Sequence, residues 1–257
     1  MHDWRGRDIS LLEVGVQNGG SMQVWSEYFG PAAQIVGLDI DERILDLAHP
    51  SNVRLLCVDG TDAAQLDAAL GDQSFDLIID DGSHVSADII NAFHLLFPRL
   101  NPGGKYIIED LHCAYWDDFG GGLLRRDSAI EMLKRLIDVL HYDHLDLLAE
   151  VDLDITDNFY ITMRSSIGRV SFYDSIAVIE KLPFVKREPY RRVVAGDAGS
   201  VMDPFDLVGA FPDTQSLLFA EPLARALEAG AARMFREARD RSAAIDADQR
   251  AASEREA

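Results

Sequence analysis

From Ile9 to about residue 110, short apolar runs alternate with amphipathic stretches of helix length, and this alternation constrains the fold more than any other feature of the chain. Parallel strands must be joined by crossovers, and a helix packed on the sheet is the usual one. The pattern predicts strands at Ile9–Val14, Gln34–Leu38, Val53–Val58, Phe75–Asp80 and Lys105–Glu109. It predicts helices near Ser21–Phe29, Asp41–Ala48, Asp62–Leu70 and Ser86–Leu100. Ser21 and Thr61 stand where N-caps belong, and Pro102-Gly103-Gly104 marks a stop before the fifth strand. The fold class is α/β, with helices on both faces of a mostly parallel sheet.

After residue 110 the rhythm breaks. Leu111–Arg126 holds aromatics and the run Gly120-Gly121-Gly122, which suits a mobile lid beside a ligand. Asp127–Glu150 reads as a long amphipathic helix, on which His141 and His144 share a solvated face. Arg169–Phe172 and Ile176–Lys181, separated by Tyr173-Asp174, predict a hairpin that ends the sheet with one antiparallel strand. One domain is expected over residues 1–185, including the lid, followed by a C-terminal extension over 186–257. The extension is irregular and basic at Lys186–Arg192, then a surface helix, an oligomer contact or a partly disordered tail from Glu221.

Charge narrows the partners. The 257 residues carry 24 Lys+Arg against 44 Asp+Glu, a formal net charge of −20, which repels nucleic acid and anionic lipid. Two cysteines, Cys57 and Cys113, make no disulfide framework, and each reads as a buried structural thiol in a reducing compartment. The start of the chain lacks an apolar signal segment, and no apolar run approaches the roughly 20 residues of a membrane span. A cytoplasmic protein is expected.

Glu13-Val-Gly15-Val-Gln-Asn-Gly19-Gly20 follows the first strand and opens the first helix, so its glycines let backbone approach a ligand at the sheet's C-terminal edge. The spacing departs from G-x-G-x-x-G, which argues against NAD. Asp39, at the end of the second strand, is placed to accept from a ribose diol, and Asp59 ends the third strand where a side chain would face an adenine or cap the next helix. This combination resembles the class I S-adenosylmethionine-dependent methyltransferases, whose Glu-x-Gly-x-x-x-Gly loop holds the amino-acid end of the cofactor. The resemblance implies a Rossmann-like, seven-stranded sheet, with Glu13, Gly15, Gly19, Asp39, Asp59 and Asp80 as cofactor positions.

Two acidic motifs are more specific. Phe75–His84 ends in Asp80-Asp81-Gly82-Ser83-His84, and Tyr106–His112 contains Glu109-Asp110. If both end adjacent parallel strands, Asp81, Glu109 and Asp110 converge at one sheet edge, where they repel unless a cation sits among them. Oxygen ligands suit Mg²⁺, ahead of Mn²⁺ or Ca²⁺, and do not make the two-histidine, one-carboxylate site of a non-haem iron oxygenase. His84, three residues after Asp81, is a suitable general base. The lid residues His112, Tyr115 and Trp116 could form a surface for a sugar ring.

These motifs, with Tyr115-Trp116 and Phe172–Lys181, resemble the metal-dependent sugar O-methyltransferases exemplified by the macrolide-sugar enzymes of mycinamicin biosynthesis, over roughly residues 9–181. The resemblance implies Mg²⁺ held by Asp81, Glu109 and Asp110, His84 as base, and methyl transfer from S-adenosylmethionine to a sugar hydroxyl of a saccharide, glycolipid or glycosylated natural product. The acceptor is expected to be a small molecule or oligosaccharide, and the protein a homo-oligomer. Only eight residues precede the first strand, so cover for the cofactor is expected from a partner subunit, the C-terminal tail or residues ahead of this start. A catechol-type enzyme and a non-catalytic cofactor-binding module are the alternatives; the catechol class commonly has Lys where His84 stands and Asn where Asp110 stands.

Overall fold

The computed structural model describes residues 4–141, 163 and 165–184. Seven strands, β1 (Ser10–Val14), β2 (Gln34–Asp39), β3 (Val53–Cys57), β4 (Phe75–Asp80), β5 (Leu100–Ile108), β6 (Ile167–Tyr173) and β7 (Ile176–Lys181), form one sheet in the order β3-β2-β1-β4-β5-β7-β6. β1 to β5 pair in parallel, and β7 runs antiparallel to both β5 and β6. The expected doubly wound sheet with one antiparallel strand is borne out. Among the described residues no helix is long and apolar enough to cross a membrane.

Continuous apolar runs are what a strand covered on both faces requires, because successive side chains alternate between faces. Leu12, Ile78, Tyr106, Ile108 and Ile179 join one buried cluster with Leu66, Phe93, Leu133 and Leu136 from the helices α2 (Ala63–Leu70), α3 (Ser86–Leu96) and α4 (Ala129–Leu140). Their neighbours Leu11, Leu77, Ile79 and Ile107 point the other way, into a cluster with Met22 and Phe29 of α1 (Gly20–Phe29) and with Ile44. Each fully buried side chain of this size contributes roughly 1.5–3 kcal/mol.

Local chemistry changes several boundaries. α1 begins after Gly19 in left-handed conformation with no side-chain cap, and the Ser21 hydroxyl, expected to cap it, donates to Glu13 instead. At α2 the cap is Asp62, whose Oδ1 accepts from the amides of Ala64 and Gln65, while Thr61 donates to Asp59. The expected helix at 41–48 is a short 3₁₀ turn, Glu42–Asp46, capped by Asp41. Helix α3 stops at Leu96; Phe97–Arg99 form a 3₁₀ turn containing Pro98.

Pro102-Gly103-Gly104 does not precede β5 but lies inside it. Phe75 pairs with Leu100 and Leu77 with Lys105, so β5 spends five residues where β4 spends two, and the proline occupies this irregularity, where its missing N–H costs no ladder bond. Cys113 is buried as expected, whereas Cys57 is exposed. Helix α4 runs from the Ser128 cap to Leu140; residues 142–150, with His144, and the extension expected over 186–257 lie outside the described residues.

Candidate functional site

The strand order reverses between β1 and β4, since β2 and β3 lie on one side of β1 while β4 and β5 lie on the other. In open α/β sheets this reversal opens a crevice beyond the carboxyl ends of the strands. Every expected site residue through Asp110 falls on that edge. Backbone bonds hold the strand ends together: Gly15 N donates to Leu38 O at 2.8 Å, Asp81 N to Val14 O at 2.9 Å, and Glu109 N to Asp80 O at 3.0 Å.

The loop after β1 is tightly wound, with positive φ at Gly15, Gln17 and Gly19. Gly15 is required for a packing reason: with φ of 95°, a Cβ there would lie 2.1 Å from the carbonyl oxygen of Asp81. The loop is braced by Asp39, whose Oδ2 accepts from Val16 N at 3.0 Å and Gln17 N at 2.9 Å, while its Oδ1 accepts from Asp41 N at 3.0 Å. A carboxylate has about four acceptor positions. Asp39 therefore keeps about one acceptor position for a ligand hydroxyl. Asp59 accepts from both the amide and the hydroxyl of Thr61, in a turn rather than as the helix cap.

Two carboxyls on this edge are sealed from water. Glu13 is 1% exposed and accepts from Ser21 Oγ on one oxygen and Trp25 Nε1 on the other. Burial pushes its pKa up to about 7, with smaller upward pushes from Asp81 and Glu109. The Ser21 and Trp25 contacts were not anticipated, although their spacing of four on α1 places them on one helix face. Asp80 is 5% exposed and is likewise raised to about 7 by burial, with Tyr106 Oη 3.4 Å away.

Asp81, His84 and Asp110 form the most chemically distinctive group. Each offers a ligand atom, and these atoms all lie within 4.8 Å of one another. His84 Nε2 stands 3.7 Å from Asp110 Oδ2. His84 and Asp110 both have left-handed backbones, with φ of 57° and 52°. Such conformations are costly for non-glycine residues and collect at functional sites. Glu109, expected with Asp81 and Asp110, is not in this close group, but its half-buried carboxyl is raised first by burial and then by Asp81 and Asp110. Asp81 is raised by burial and by Asp110, an effect that His84 offsets. Carboxylates held above their usual range by burial and by each other are stabilised by a cation. An ion binding oxygen at about 2.1 Å holds opposite ligands about 4.2 Å apart, so this group needs little contraction to accept one.

The segment after Asp110 is folded rather than open. Leu111–Tyr115 and Asp117–Phe119 form 3₁₀ turns, Gly121 N donates to Trp116 O at 2.8 Å, and Gly122 N donates to Ala114 O at 3.0 Å. A Cβ at Gly121 would lie 2.3 Å from the Ala114 carbonyl, so that glycine serves close packing. Tyr115 and Trp116 are 44% and 52% exposed, and His112 meets Trp116 edge-on at 4.9 Å.

Residues 12–111 match a family described as a methyltransferase domain. The chain is 34% identical over 187 residues to the 8-demethyl-8-alpha-L-rhamnosyl tetracenomycin-C 2'-O-methyltransferase of Streptomyces olivaceus, covering 69% of this chain and 47% of that protein. It is 38% identical over 156 residues to the mycinamicin VI 2''-O-methyltransferase of Micromonospora griseorubida, covering 56% and 38%. A solved structure of MycE methyltransferase from the mycinamycin biosynthetic pathway, in complex with Mg, SAH and mycinamycin VI, superposes with a TM-score of 0.61 at 32% identity, covering 72% of this chain and 47% of that one. The chain thus spans less than half the length of these relatives. The resemblance to sugar O-methyltransferases is borne out over the aligned region, and the fold is the Rossmann-like methyltransferase fold.

Proposed function

We propose that this chain, which carries a methyltransferase domain, transfers the methyl group of S-adenosylmethionine to a sugar hydroxyl, with Mg²⁺ or, in its place, Mn²⁺ at the acidic edge of the sheet. The observation that carries the reading is the convergence of Asp81, His84 and Asp110 beside the loop after β1. Similarity to two sugar O-methyltransferases supports the acceptor class.

The cation would lower the pKa of an acceptor hydroxyl, and the sulfonium would provide an activated methyl. Asp81, Glu109 and Asp110 would hold the cation. His84, beside Asp110, takes the hydroxyl proton as the new C–O bond forms and the C–S bond breaks, the electron pair staying on sulfur. The Gly15–Gly19 loop would receive the donor's amino-acid end, with the buried carboxyls of Glu13 and Asp80 bracing that corner from behind, and Asp39 and Asp59 would serve its nucleoside half. His112, Tyr115 and Trp116 offer an edge on which a sugar ring can lie, and movement of the 111–126 segment would exclude water. The acceptor in this reading is a small glycosylated molecule or an oligosaccharide and not a nucleic acid, consistent with the net charge of −20. The working form is a homo-oligomer in the cytoplasm, with residues 1–185 as the catalytic domain and 186–257 as an extension.

The position of His84 among potential ligands favours one second reading, in which its imidazole binds the cation. His84→Ala decides between them. As a base, its loss lowers turnover about 10²–10⁴-fold while Mg²⁺ and donor affinities, measured by calorimetry, stay unchanged. Loss of Mg²⁺ affinity in that variant would make His84 a ligand, and normal turnover would remove it from both roles.

A further inference from the structure

We propose that Ser175, at the tip of the β6–β7 hairpin, is a positioning residue that keeps the His112 imidazole off the Asp110 carboxylate and so leaves Asp110 available to a cation. The inference rests on the reading of the acidic edge as a cation site.

The hairpin is locked to β5 in register, Ile108 lying opposite Ala177, so its tip overhangs the residues that follow β5. There it makes three bonds to the acidic motif, although Ser175 and His112 are 63 residues apart in sequence. Leu111 N donates to the Ser175 carbonyl at 2.9 Å, His112 N reaches the Ser175 hydroxyl at 3.4 Å, and His112 Nδ1 lies 2.6 Å from that hydroxyl. On the other side of Asp110, Glu109 N is tied to Asp80 O. Asp110 therefore sits between two tethered residues, in a left-handed conformation, with its carboxylate 51% exposed.

That carboxylate has an imidazole near each oxygen. His84 Nε2 is 3.7 Å from Oδ2, and His112 Nδ1 is 3.9 Å from Oδ1. Neither distance is a hydrogen bond, but His112 needs only about an ångström of movement to make one. Its Nδ1 is the atom that the Ser175 hydroxyl engages. Ser175 is itself held at φ of 63°, a conformation for which glycine is the default. A serine there exchanges backbone ease for a hydroxyl, and the hydroxyl is spent on His112. Without it, His112 would close on Asp110 and compete with a cation for its oxygen. Residues that control the surroundings of a metal's ligands without touching the metal commonly change its affinity 10–100-fold.

Ser175→Gly removes the hydroxyl and keeps the left-handed backbone, so the fold should survive. Mg²⁺ binding to the full chain is measured by calorimetry without donor or acceptor, and thermal midpoints are taken in chelator. The expected result is about tenfold weaker Mg²⁺ binding for Ser175→Gly at an undiminished midpoint, and recovery to within about twofold of the wild type in Ser175→Gly/His112→Ala. A purely structural role would not be rescued by removing His112. Unchanged Mg²⁺ affinity in Ser175→Gly, or no recovery in the double variant, overturns the inference. Should Ser175→Gly lower the midpoint, the double variant still decides by recovering Mg²⁺ affinity or failing to. A wild-type chain that binds no Mg²⁺ overturns the cation reading beneath it, an outcome distinguishable because it appears before any substitution is made.

Discussion

Glu13 shows how much of this site depends on burial. Its carboxyl is raised from 4.5 to about 7 chiefly by desolvation, so the folded protein holds a proton that the unfolded chain releases near 4.5. Native protein then binds more protons than the unfolded chain between these values, and stability falls as pH rises through that window. Glu13→Gln removes the titrating group. Wild type should lose stability relative to Glu13→Gln between about pH 5 and pH 7.5, by on the order of 1–3 kcal/mol in urea denaturation without ligand. Parallel pH profiles for the two proteins would contradict the buried, protonated carboxyl. Asp81, His84 and Asp110 are legible as a group because strand ends converge by topology, whereas Glu109, expected with them, stands just outside it. The pairing of Glu13 with Ser21 and Trp25 was not, because a side-chain hydroxyl at a helix start reads equally as a cap until its rotamer is known.

Strands were the most legible elements, since a run such as Phe75-Asp-Leu-Ile-Ile-Asp80 can be covered on both faces in only a few ways. Termini were harder. Asp62 outcompetes Thr61 as a cap by one residue, and the proline of β5 looks like a stop unless the bulge against β4 is known. Tertiary hydrogen bonds decide such cases. Lys181, on β7, donates to the carbonyls of Pro98 at 3.1 Å and Leu100 at 2.6 Å, where α3 gives way to β5. No local pattern announces that contact, because 81 residues separate Lys181 from Leu100. Lys181→Met should leave these carbonyls without their charged donor and cost about 1–3 kcal/mol, read as a lower denaturation midpoint. An unchanged midpoint would show that the junction holds without it.

At the scale of the molecule, the described residues form a complete seven-stranded methyltransferase sheet, yet the chain spans only 47% of the tetracenomycin-sugar relative. The parallel core supplies the loop after β1 and the acidic edge, and the β6–β7 hairpin reaches back over that edge through Ser175. The acidic residues are therefore not all surface: Glu13, Asp80, Asp81 and Glu109 are buried or half-buried within the one crevice where the strand order reverses. The most direct measurement follows labelled methyl from S-adenosylmethionine into a glycoside bearing free neighbouring hydroxyls, first in excess EDTA and then with Mg²⁺ restored. Label is expected on the sugar only when Mg²⁺ is present; undiminished transfer in EDTA, or labelling of a catechol but not of the glycoside, would overturn metal-dependent sugar methylation.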